Sequence, residues 1–81
     1  MKKQYLKSIH FIVKCFNHTR KSTDKEATTK ASMMEVFKYQ LDGIHQVMLY
    51  DTNTTNEDVR RYWKLSNLMD NAIDEIWHTE K

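Results

Sequence analysis

Eighty-one residues, 40% apolar and 11% aromatic, read as a single small domain spanning 1–81: too apolar for disorder and too short for two cores. Thirteen Lys/Arg against eleven Asp/Glu leave a net charge of +2, which fits neither a heavily basic nucleic-acid binder nor an acidic mimic of DNA. With no proline and one glycine, Gly43, a turn-rich β architecture lacks its usual turn residues.

Segment 2–20 carries an apolar stripe of Tyr5, Ile9, Ile12 and Phe16, flanked by Leu6 and Val13. That i, i+4, i+7, i+11 spacing predicts a helix burying one face. Residues 21–31 have no such stripe and read as a polar linker, with Thr23 and Glu26 spaced for a short capped turn. Ser32 and Glu35 have capping-box spacing and place the start of a second helix over 32–50, with Ala31 stapled to Val36. Its stripe is Met33/Met34, Phe37, Leu41, Ile44 and Met48, with Val47 beside it. Gly43 sits at the edge of that stripe and is expected to mark a close helix approach or a kink. Thr54 with Glu57, or Thr55 with Asp58, caps a third helix over 55–79. The third stripe is Val59, Tyr62, Ser66, Met69, Ile73 and Ile76, with Trp63, Leu65, Ala72 and Trp77 on its shoulders.

Three amphipathic helices can bury their faces only against one another, so the expected fold is an all-α, antiparallel three-helix bundle. Apolar groups off the stripes, among them Phe11, Tyr39, Leu49, Tyr50 and Leu68, leave room for a homodimer.

A lone Cys15 permits no internal disulfide, as in a protein of the reducing cytoplasm. Met1-Lys2-Lys3 resembles the start of a signal peptide, but Lys7, His10 and Lys14 interrupt the apolar run that should follow. No stretch approaches the roughly 18 apolar residues of a membrane span, so no membrane partner is expected. The N-x-T matches at Asn17 and Asn53 are then accidental.

Chemistry-bearing patterns are weak. Asp51, Asn53, Thr55 and Glu57 alternate as in a calcium loop, yet Asn56 and Tyr62 occupy the positions that need Gly and a bidentate Glu. His10 and His18 are eight residues apart among lysines, while His45 and His78 are isolated, so solvated histidines are expected rather than a metal site. Cys15, near Lys14 and His18, has no glycine-rich turn to supply oxyanion donors and reads as a small apolar packer. The acids Asp70, Asp74 and Glu75 read as a solvated face. No enzyme and no cofactor are expected.

Charge placement is more informative. Lys2, Lys3, Lys7, Lys14, Arg20 and Lys21 fall in residues 1–23, which contain no acid. Lys3, Lys7, His10, Lys14, His18 and Lys21 share one narrow face of the first helix, opposite its apolar stripe. Lysines at a helix start oppose the macrodipole, so helix stability does not explain them. Arg60, Arg61 and Lys64 add a basic patch early in the third helix. This pattern fits a solvated face, a dock for an acidic protein, or phosphate contact with nucleic acid. The favoured expectation is a small regulator or inhibitor, of the adaptor or phage type, that docks an acidic protein. Lys3, Lys7, Phe11, Lys14, His18, Lys21, Arg60, Arg61, Trp63 and Lys64 form its partner-binding set. The alternative is a nucleic-acid-binding helical module using the same cations.

Overall fold

The structure, a computed structural model, describes residues 2–79. It is all-helical among those residues, with three helices: α1 (Lys3–Lys21), α2 (Ala27–Leu49) and α3 (Asn56–Thr79). They pack as a bundle measuring 44 × 19 × 15 Å. Helix α2 is the centre: it packs along both α1 and α3, whereas α1 and α3 approach each other only weakly.

The stripes explain this packing. Ile12 and Phe16 of α1, Met34 and Leu41 of α2, and Tyr62, Met69, Ala72 and Ile73 of α3 form one buried cluster. Ile9, Phe37, Ile44, Leu65 and Ile76 are partly buried against it. Phe37, expected in the core, is therefore at its margin.

Helix α1 spans 3–21 rather than 2–20, and α3 spans 56–79 rather than 55–79. The larger correction concerns α2, which begins at Ala27 and not at Ser32. Ala27, Ala31 and Met34 continue its buried face one further turn at i, i+4, i+7 spacing, and Ala31 is completely buried. Ser32 and Glu35 thus lie inside the helix, and exposed Val36 forms no staple with Ala31. The connection shrinks to residues 22–26, and Glu26 occupies the N-cap without a side-chain hydrogen bond.

The start of α3 follows one of the two expected caps. The Asp58 backbone N–H donates to Thr55 Oγ1 (3.2 Å), and the Thr55 N–H donates back to Asp58 Oδ2 (3.0 Å). This hydrogen bond from the Thr55 backbone also holds the Asp58 carboxyl below the usual carboxylate range.

Contacts between ends and middles tie the helices together. Tyr5 and Lys2, at the start of α1, both reach Asp51, which follows α2, at 3.1 and 2.9 Å. Asp51 also accepts from the Asn53 N–H, and these donors hold its pKa at about 2. Trp77 near the end of α3 reaches Glu35 in the first half of α2. Lys38 bridges Asp42 and Asp70, and Arg20 meets Glu75 at 3.6 Å.

Within the bundle, Gly43 marks neither a close helix approach nor a kink. A Cβ placed there meets nothing within 4 Å, its φ is not positive, and the helix continues through it. Gly43→Ala is therefore expected to stabilise the isolated chain by about 0.5–1 kcal/mol, the ordinary helix-propensity gain. Thermal unfolding at low protein concentration checks this; a loss of stability would show that the position is constrained from within the bundle.

Candidate functional site: an apolar groove with a basic rim

Because α1 and α3 barely approach, a groove of about 490 Å³ opens between them. Leu6, Ile9 and Val13 of α1 form one apolar wall, Tyr62 and Leu65 of α3 the other, and Leu41 of α2 lies at the base. His10, Lys14 and Arg61 line the same groove with polar ends. The arrangement follows from helical period. Leu6 and Val13 flank the buried stripe of α1 on the side of α3, and Leu65 flanks that of α3. Each of these flanks is left only partly covered.

The groove unites Lys14 and Arg61, two members of the expected partner-binding set, on different helices. Arg61 also pairs with Glu57 one turn earlier, at 2.9 Å on an exposed surface. Among the described residues, Lys3, Lys7, Lys14, Lys21, Arg60 and Lys64 pair with no carboxylate within 4 Å. Asp42 and Asp70 are held by Lys38, and Glu75 meets Arg20, so these three acids do not neutralise those cations. Lys3, His18 and Lys21 are exposed along α1, and Arg60 and Lys64 along α3.

The other eight members do not line the groove, and three of them, Phe11, Lys7 and Trp63, lie against α2 instead. Phe11 and Lys7 border a shallow depression between α1 and α2, beside Gly43 and Val47. Trp63 instead faces α2. Its ring edges onto His45 at 5.6 Å and Tyr62 at 5.3 Å. His10 and the apolar walls were not singled out from the sequence as binding residues. Leu6 and Val13 were visible there only as stripe flanks.

His45 departs from the expectation of a solvated histidine. It is buried, and its ring stacks on Tyr62 with centroids 3.6 Å apart and planes 4° from parallel. Burial lowers its pKa from the usual 6.5, against the charge of Asp42 one turn away, and its Nε2 has no hydrogen-bond partner among the described residues. The Tyr62 hydroxyl donates to Asp42, and burial with that carboxylate raises its pKa to about 12. Stacking and enclosure make this cluster a packing element between α2 and α3.

Among the described residues no group of three or more His, Cys, Asp or Glu side chains is placed to hold a metal ion. Nor, among the described residues, is any helix long and apolar enough to cross a membrane. No family model matches the chain, and neither a curated protein nor a solved structure matches it.

Proposed function

We propose that this chain is a non-enzymatic regulator or inhibitor that docks an acidic helical segment of another protein in the α1/α3 groove. The observation that carries this reading is the pairing of an apolar floor with a basic rim, in which Lys14 has no carboxylate within 4 Å among the described residues. An amphipathic helix supplies the matching surface: apolar residues on one stripe for Leu6, Val13 and Leu65, and carboxylates beside it for Lys14 and Arg61. The bundle order assumed is antiparallel. The contacts Tyr5–Asp51 and Trp77–Glu35 support it by joining the start of α1 to the end of α2 and the later part of α3 to the first part of α2, and Arg20–Glu75 agrees by joining the end of α1 to the later part of α3. The reducing cytoplasm is the expected setting for a chain with one free thiol.

The rival use of the same cations is phosphate binding. A pull-down from nuclease-treated lysate with the wild type and with Lys14→Glu/Arg61→Glu separates the two. The expected result is a stoichiometric protein that the double variant loses, with binding weakened by about 2 kcal/mol or more. Recovery of nucleic acid alone from a parallel untreated lysate, abolished by the nuclease and with a log–log salt slope near −4 to −5 as about five neutralised phosphates would give, overturns the docking reading.

A further inference from the structure

In a chain that is 30% charged, the solvent face of α2 carries no charge at all. Its four charged residues, Lys30, Glu35, Lys38 and Asp42, are all partly buried toward the other helices. What faces water is instead a second apolar stripe: Val36, Tyr39, Val47 and Tyr50, which are 52%, 67%, 56% and 89% exposed. Phe11 of α1, 66% exposed, lies beside it.

The order of these residues is symmetric about Gly43. Gln40 and Gln46 lie three residues to either side, Tyr39 and Val47 four, and Val36 and Tyr50 seven. All fall on one helical face with Gly43 at its midline. Nothing inside the bundle requires a glycine there, since a Cβ would point into open space. A glycine at the centre of an exposed apolar face does permit a second helix to approach closely.

We infer that this face of α2 is the interface between two copies of the chain, packed antiparallel about a twofold axis through Gly43. The axis sets position 43 + k of one copy opposite 43 − k of the other. Tyr39 then meets Val47, Val36 meets Tyr50, and Gln40 meets Gln46, whose amides can exchange hydrogen bonds. Such a patch is self-complementary, as an isologous contact demands. The α2 residues that meet across the axis are uncharged and oppose no like charges, with Lys7 of α1 at the border beside Phe11, whereas a twofold contact through the α1/α3 groove would set Lys14 and Arg61 against their own copies. The area is adequate. At about 150–250 Å² per aromatic side chain, Phe11, Tyr39 and Tyr50 alone expose roughly 400 Å², about half of what each partner of a stable dimer buries. The groove stays open in this dimer, so this inference and the docking proposal stand or fall separately.

Sedimentation velocity over a concentration series up to about 0.1 mM tests it, since a micromolar dimer is saturated there. The wild type is expected to be dimeric. Tyr39→Glu alone and Val47→Lys alone are each expected to be monomeric with unchanged helicity, because both sites are solvent-exposed in the single chain. The combined Tyr39→Glu/Val47→Lys is expected to dimerise again, because the antiparallel register puts each introduced charge against its opposite. A strictly monomeric wild type overturns the inference. So does a dimer that survives both single substitutions, which would place the contact elsewhere, or a combined variant that stays monomeric, which would exclude this register.

Discussion

Leu41→Ala is expected to lower the unfolding free energy by about 2–5 kcal/mol, the cost of a buried Leu truncated where the surroundings cannot collapse. Leu41 has no exposed surface and belongs to the cluster that joins all three helices. Because α2 alone packs extensively on both neighbours, a cavity on its inner face loosens α1 and α3 together. In a domain this small the loss is a large share of a total of about 5–15 kcal/mol. Urea unfolding measures it as a lower midpoint with an unchanged slope. Phe11→Ala, an equally drastic truncation at an exposed site, serves as the control and should shift stability by no more than about 0.5 kcal/mol under monomeric conditions. A Leu41→Ala loss below about 1 kcal/mol would mean that the helices are not held by a shared core.

The elements legible in the sequence are those whose burial and period agree. Tyr62, Met69 and Ile73 repeat at helical spacing behind the Thr55–Asp58 cap, and all three are buried where the stripe puts them. The first turn of α2 was missed because its buried face is made of alanines. Ala27 and Ala31 carry too little apolar surface to stand out among threonines and lysines, yet Ala31 is wholly enclosed. His45 shows a different failure. It lies four residues after Leu41 and three before Met48, a spacing that marks the core, but its polar side chain argued for solvent. Burial of that ring is offset by its stack on Tyr62, seventeen residues away in the chain, which no period within α2 can reveal. The groove is similar. Leu6, Val13 and Leu65 are visible as flanks of their own stripes, but whether two flanks meet depends on how α1 and α3 lean on α2, a property of packing rather than of any one helix.

The Asp42–Tyr62–His45 cluster should be the second most sensitive part of the molecule, and its pH response is specific. Asp42→Ala leaves the buried Tyr62 hydroxyl without its carboxylate acceptor and Lys38 with only Asp70, at an expected cost of about 1–3 kcal/mol. Asp42→Asn, which still offers an acceptor, should cost less. In the wild type, His45 is kept neutral by burial, so its folded pKa lies below the unfolded value of 6.5. The unfolded chain then binds the extra proton first, and stability falls as pH drops below 6.5. Asp42 is the group that opposes this shift, so removing its charge lowers the folded pKa further and extends the acid-side loss to lower pH. At the alkaline end the unfolded tyrosine ionises near 10, while Tyr62 holds its proton to about 12. Stability is therefore also lost as pH rises from 10 toward 12, and without the negative charge of Asp42 that window narrows. Urea midpoints measured from pH 5 to 11 on the wild type, Asp42→Ala and His45→Phe test all of this. The loss just below pH 6.5 should vanish in His45→Phe and run to lower pH in Asp42→Ala. An unchanged acid-side profile in His45→Phe would show that the histidine is not held neutral against Tyr62, and that the stack contributes packing alone.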